Sequence, residues 1–230
     1  MTTLLAIETS TPDASISLWS GGDFLYEAEF VSERGHNSMI FEPLAEALAA
    51  LDGRELTAVL VGTGPGSYSG TRIGIAAAQG VAIAHHCPSA GLGSLAATPL
   101  ARRAVVSTEK PEAMAIGDAR RGLYYVSTIT ESGEAAEPEL MDAQALNELV
   151  ASHSTHAVFT LDDPAKLPLN EALAPRVTCT HPHSRALIEL WLELNEDRRR
   201  ELCKKPLAPT YLRAPFTSKA KQGHPLLRKG

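Results

Sequence analysis

Residues 58–85 constrain the fold of this chain more than any other stretch. Ala58-Val59-Leu60-Val61 carries no polar side chain. It reads as a strand buried on both faces, as parallel strands between helices are. A glycine-rich loop, Gly62 to Gly70, follows and feeds a helix expected from about Thr71 to His85. Within that helix only Arg72, Gln79 and the terminal His85 interrupt an otherwise apolar or small-residue run. A helix apolar nearly all round must be buried on more than one side. The expected class is therefore α/β, a mixed sheet with helices on its faces.

The flanking sequence supplies the other strands. Leu4–Ile7 is a short apolar run closed by the turn formers Glu8-Thr9-Ser10-Thr11-Pro12-Asp13. Ala14–Trp19 alternates as a strand, Gly21-Gly22-Asp23 reads as a hairpin turn, and Phe24–Phe30 as a third strand. Asn37 or Ser38 is placed to cap a helix whose stripe is Ile40, Leu44, Leu48 and Leu51, ended by Gly53. The second half runs in the same order. Strands are expected at Ala113–Ile116, Tyr124–Thr130 and weakly near Pro138–Met141, then a helix from an Asp142 cap through Val150. A strand at Ala157–Leu161 and a helix from Ser184 to about Arg200 complete it. The order is β-β-β-α-β-α twice, a repeat of elements without visible sequence identity. The join falls between about Leu95 and Glu109, where Pro99, Arg102 and Arg103 break the pattern. The expected units are an N-terminal lobe, 1–103, completed by about 204–216, a smaller C-terminal lobe, 104–203, and a basic tail, 217–230.

Composition bounds the function. Hydrophobic residues make up 44% of the 230, with only 5% aromatic, so the core must rest on Ala, Leu, Val and Ile. No apolar run approaches the roughly 20 residues a membrane helix needs. Met1-Thr2-Thr3 has no basic region and no long apolar stretch behind it, so no secretory signal and a cytoplasmic location are expected. Cys87, Cys179 and Cys203 are odd in number without metal-type spacing, which suits free thiols in a reducing compartment. From Arg198 onward there are ten Lys/Arg against one acid, Glu201, a balance of +9 that leaves −15 for the rest. Such a chain cannot hold RNA by phosphate contacts over its whole surface. Its tail is expected to be a solvated terminus, able at most to touch a phosphate backbone or an acidic partner.

Two acids end equivalent strands, Glu8 and Asp118. In a doubled α/β fold such strand ends face one crevice, where paired carboxylates could hold a metal or orient phosphates. The plainer reading is that each caps its own turn. Thr9, Ser10 and Arg120 would line the same crevice, and Arg120 and Arg121 would neutralise Asp118. The Gly62–Gly70 loop has the strand–glycine–helix layout of an anion site. It lacks the P-loop Lys, the third glycine of a dinucleotide fingerprint and a central Ser, and Pro65 removes one N–H. Close packing or a tight turn is the expected purpose. The histidines show no i, i+4 metal pair, since His36 is followed by Ile40.

Four stretches together resemble one family. They are Ala6-Ile7-Glu8-Thr9-Ser10, the block from Gly64 to Gly74, Asp118-Ala119-Arg120-Arg121, and Pro209-Thr210-Tyr211-Leu212-Arg213. In order and spacing they are similar to the TsaB (YeaZ) family, over about Leu4 to Arg213. The last of them resembles that family's C-terminal strand motif. The resemblance implies a duplicated RNase H-like fold of the actin/sugar-kinase ATPase superfamily. It also implies a non-catalytic subunit in forming threonylcarbamoyladenosine beside the tRNA anticodon. Its implied partners are a TsaD-type transferase and a TsaE-type ATPase. No cofactor of its own is implied, with ATP/ADP or a divalent metal only in the assembled complex. A homodimer when alone, and weak or indirect contact with tRNA, complete the expectation. The sequence departs from the family at Glu8, usually Asp, at Ser69 and Thr71, where Thr and Leu are common, and at Leu123, usually polar. These changes weaken phosphate chemistry and spare the packing elements. The competing readings are a small-molecule kinase or ATPase of the same superfamily, and a metallopeptidase.

The residues also suggest where a partner would bind. At about 100° per residue, Arg72, Ile75, Ala76, Gln79 and Ile83 cluster on a second side of the helix after the glycine loop. That side mixes polar with apolar groups, as interfaces do. Ile40 and Leu44 on the preceding helix would extend the patch, although their default place is the core.

Overall fold

The structure is a computed structural model that describes residues 1–31, 37–106, 112–130 and 133–212. His36, Arg213 and the tail expected at 217–230 lie outside the described residues.

Two five-stranded sheets carry the fold. In the first, β1 (Thr3–Glu8) pairs antiparallel with β2 (Asp13–Ser20), and β2 with β3 (Asp23–Val31), through the two-residue Gly21–Gly22 turn. Both glycines have positive φ, 60° and 121°, which a side chain would resist. Helix α1 (Phe41–Ala49) leads to β4 (Ala58–Gly62), which lies parallel to β1. Helix α2 (Tyr68–Ala84) returns to β5 (Ser89–Leu92), parallel to β4, giving the order β3-β2-β1-β4-β5. The second half repeats it with β6 (Ala113–Asp118), β7 (Tyr124–Thr128), β8 (Glu139–Met141), helix α4 (Ala143–Ser152), β9 (Ala157–Thr160) and β10 (Val177–Cys179), ordered β10-β9-β6-β7-β8. One sheet is the other's topological copy, and the expected duplicated RNase H-like α/β fold holds.

The element order needs correction at three places. Each half has a fifth strand, β5 or β10, of only four or three residues. These were invisible because so short a run has no period to read. Between β9 and β10 there is no α-helix, only single 3-10 turns at Pro164–Lys166 and Ala174–Arg176. The join is helical: a 3-10 turn at Ser94–Ala97 runs into α3 (Pro99–Val106). Pro99 sits in the first turn, where its missing N–H costs nothing.

The helix expected from Ser184 to about Arg200 is two helices. They are α5 (Ser184–Glu193) and α6 (Glu196–Lys204), where Asn195 caps the second by accepting from the Arg198 N–H at 2.8 Å. Their packing departs from the expected lobe assignment. Leu187, Ile188, Leu190 and Trp191 of α5 are buried against Leu4, Ala6, Leu60 and Leu92 of the first sheet. Conversely Ala101 and Ala104 of α3 pack with Ala113, Ala115 and Phe159 of the second. The halves have exchanged helices, and Arg102 pairs with Glu193 to join α3 to α5. The other face of the first sheet is closed by α1 and α2, through Ile40, Leu44, Ile75, Ala78 and Val81. With helices on both faces, β4 is buried along its whole length, as its apolar run required.

Candidate functional site

The C-terminal ends of β1 and β6 open on one crevice of about 900 Å³. It is lined by Thr9 to Pro12, the Pro65 to Thr71 loop, Asp118, Arg120, Asp162 and the segment Pro209 to Leu212. Thr9, Ser10, Asp118 and Arg120 are therefore brought together as the sequence suggested.

The two acids share one local device. Ser10 N–H donates to Glu8 Oε1 at 2.7 Å, and Arg120 N–H donates to Asp118 Oδ1 at 2.7 Å. Each carboxylate thus closes its own turn two residues on. Their surroundings differ. Asp118 is part-exposed and takes a second contact from Arg120 Nη1 at 3.3 Å. Glu8 is fully buried beneath the crevice, and its Oε2 has no hydrogen-bond partner among the described residues. Burial pushes the Glu8 carboxyl up, and the hydrogen bond from Ser10 N–H only partly offsets that. Among the described residues no three His, Cys, Asp or Glu side chains are grouped to hold a metal ion.

The glycine loop packs against the first turn. A Cβ on Gly66 would lie 2.1 Å from Ser10 O, one on Gly70 2.2 Å from Thr9 O, and one on Gly74 2.2 Å from Thr9 Oγ1. Spacing of four places Gly70 and Gly74 on one face of α2, and Gly66 lies in the loop just before it, so loop and helix press onto residues 9–10. Ser67 N–H donates to Ser10 O at 2.6 Å and Thr9 Oγ1 donates to Gly70 O at 2.8 Å, fixing the approach. Ser67 caps α2 by accepting from Gly70 N–H at 3.2 Å, so the helix begins earlier than its apolar run. It ends on His86, whose φ of 51° lets Cys87 N–H reach back to Ala82 O.

The last described residues close one side of the crevice. Expected to resemble a strand, they form an extended strap instead. Leu207 packs with the α1–α2 core and Leu212 with the second-lobe core. Between them Thr210 N–H donates to Thr63 O at 2.8 Å. Tyr211 Oη accepts from Arg72 Nε and Nη2 at 3.0 and 2.6 Å. The Arg72 guanidinium also lies 3.8 Å from the centre of the Tyr68 ring. This Tyr68–Arg72–Tyr211 cluster escaped the sequence reading. Its partners are 139 residues apart, and only the family motif around Tyr211 hinted at a contact.

On α2 the expected second side divides. Arg72, Ala76, Gln79 and Ile83 are exposed, Ile83 by 75%, whereas Ile75 is buried. Ile40 and Leu44 are buried too, so those three residues pack in the core of the first sheet. Met39 and Phe41, off the Ile40–Leu44 stripe, are the exposed apolar groups near α1.

The model of the TsaD family, tRNA N6-adenosine threonylcarbamoyltransferase, matches residues 30–157, more than half of the chain. The chain belongs to that family. The resemblance to TsaB (YeaZ) proteins holds as well. The tRNA threonylcarbamoyladenosine biosynthesis protein TsaB of Escherichia coli K12 is 34% identical over 125 residues, 53% of this chain and 52% of that protein. The tRNA N6-adenosine threonylcarbamoyltransferase of Shouchella clausii is 31% identical over 129 residues, 48% of this chain and 38% of that protein. The chain spans about half the length of the curated TsaB relatives it matches. YeaZ from Pseudomonas aeruginosa has the same fold, with a TM-score of 0.67 at 24% identity over 92% of this chain and 100% of that one. Among the described residues no helix is long and apolar enough to cross a membrane.

Proposed function

We propose that the chain is a non-catalytic subunit in the formation of threonylcarbamoyladenosine on tRNA, and that it pairs with a TsaD-type transferase through the exposed face of α2. The observation that carries this is the stripe Arg72, Ala76, Gln79 and Ile83 on a helix whose opposite side is already in the core. An isoleucine 75% exposed at the C-terminal end of such a stripe is the kind of group an interface covers. Exposed Met39 and Phe41 offer further apolar area near α1. Ala76 is small enough to let a partner helix approach closely. The same face serves a self-dimer when the chain is alone. A TsaE-type ATPase joins the pair, and any ATP/ADP or divalent metal is held only once the complex is assembled. The setting is cytoplasmic.

Family membership and the TsaB-named relatives support this reading. So does the burial of Glu8, which withdraws one carboxylate of the superfamily crevice from solvent. The test is Ala76→Arg, at an exposed position where the monomer has room for the larger side chain. Loss of co-sedimentation with the transferase and of tRNA modification, at an unchanged melting temperature, is the expected result. Unaltered sedimentation and modification would overturn it. Threonylcarbamoyl transfer by the chain free of its partner, reduced by Asp118→Ala, would instead favour an enzyme.

A further inference from the structure

We propose that the crevice mouth binds one unpaired nucleotide of an RNA strand, its base stacked on Tyr68 and Tyr211 and its phosphate on Arg120. The choice of RNA rests on the tRNA-modification reading above; the platform itself rests on geometry.

Tyr68 is 63% exposed and Tyr211 43%, so two aromatic rings stand in solvent at one place. Their centroids are 6.2 Å apart and their planes differ by 37°. Arg72 holds both, stacking on Tyr68 at 3.8 Å and donating twice to the Tyr211 hydroxyl. Rings fixed in this way lose little freedom when a base lands on them, which favours binding. Base–aromatic stacking accepts every base, because each has a π-face.

Arg120 lines the same crevice. Its φ of 68°, followed by 55° at Arg121 and 70° at Gly122, turns the chain so that the Arg120 side chain is 81% exposed. A non-glycine residue held in that region is costly, and such strain gathers at binding sites. The pair with Asp118 is long and solvated, so it yields readily to a phosphate. Asp118 and Asp162 also line the crevice and disfavour a phosphate beside them, so the phosphate contact falls to the exposed Arg120 guanidinium. A base within a duplex has both faces covered by its neighbours and cannot reach the platform.

The measurement is fluorescence anisotropy on the full chain alone, using a labelled, unstructured oligoribonucleotide and the matching duplex. The single strand is expected to bind and the duplex much less. Tyr68→Ala should weaken the single strand by about 5- to 150-fold, the range for losing one base stack. Tyr68→Phe should restore it, since stacking needs no hydroxyl. Arg120→Ala should lower the salt dependence by about one phosphate contact. Equal binding of strand and duplex, an unchanged Tyr68→Ala variant, or no binding at about 100 μM strand overturns the proposal. Free AMP competing as well as the strand, nucleotide for nucleotide, also overturns it, because the site would then take mononucleotides. No partner is present in this assay. Its failure is therefore distinct from failure of the pairing read with Ala76→Arg.

Discussion

Gly62→Ala is the most informative single change in the crevice floor. The position has no positive φ, so alanine meets no backbone objection there. The objection comes from Glu8. A Cβ at Gly62 would lie 1.8 Å from Glu8 Oε2, 2.4 Å from its Cδ and 2.7 Å from Oε1. The carboxyl has no solvent to retreat into and is tethered to Ser10 N–H at 2.7 Å. Overpacking of this kind costs about 1–3 kcal/mol, and breaking the Ser10 bond adds about 1.5 kcal/mol or more. A total near 3 kcal/mol lowers the melting temperature of a chain this size by about 6–12 °C. Glu8→Ala removes every atom in the clash but leaves Ser10 N–H buried without its acceptor, for about 1–3 kcal/mol. In that background Gly62→Ala should cost almost nothing. The double-mutant cycle by urea denaturation should return a coupling of about 2–3 kcal/mol. The reasoning fails if Gly62→Ala costs the same with and without the Glu8 carboxyl, or less than about 0.5 kcal/mol in the parent.

Three further expectations follow from the same geometry. Burial raises the Glu8 pKa in the folded state, so its protonated form favours folding below the usual 4.5 and that advantage is lost as pH rises through the folded value; Glu8→Gln should therefore flatten the pH profile of stability and raise the melting temperature near neutral pH. Relative to a chain ending at Leu212, truncation after Lys205 removes Leu207, Thr210 and Tyr211 and should lower the melting temperature measurably by circular dichroism. Trp191→Ala on α5 should cost about 3–5 kcal/mol, because that ring closes the first sheet's core although it lies far along the chain from β4.

The sequence was most legible where periodicity and burial coincide. The apolar run at residues 58–61, the alternation of β2 and the Asp142 cap, which accepts from Ala145 N–H at 2.9 Å, follow from local rules. Local rules also read the acids at 8 and 118 as turn caps. They did not reveal which half a helix serves. Nothing in the stripe of α5 says that it packs on the first sheet, because a stripe specifies a face and not a partner. The same limit explains Ile75, Ile40 and Leu44. Their spacing marks them as one-sided, but whether that side meets its own sheet or another protein depends on tertiary placement. The Tyr68–Arg72–Tyr211 cluster is of the same kind, assembled from ends of the chain that no window spans.

The two halves repeat a topology and even a turn, with one backbone N–H donated to a strand-end carboxylate two residues back in each. What differs is the packing over that turn. At residues 8–10 Gly66, Gly70 and Gly74 press on Thr9 and Ser10, Gly62 lies against the Glu8 carboxyl, and that carboxyl is buried. At residues 118–120 no glycine face covers the turn, and three successive left-handed residues lift Arg120 into solvent. The same local device thus becomes a structural plug in the first half and a charged lip in the second. The tight approach of α2 also fixes where its outer face points. Its inner face is spent on the core and residues 9–10, while Ala76, Gln79 and Ile83 on the outer face are exposed among the described residues.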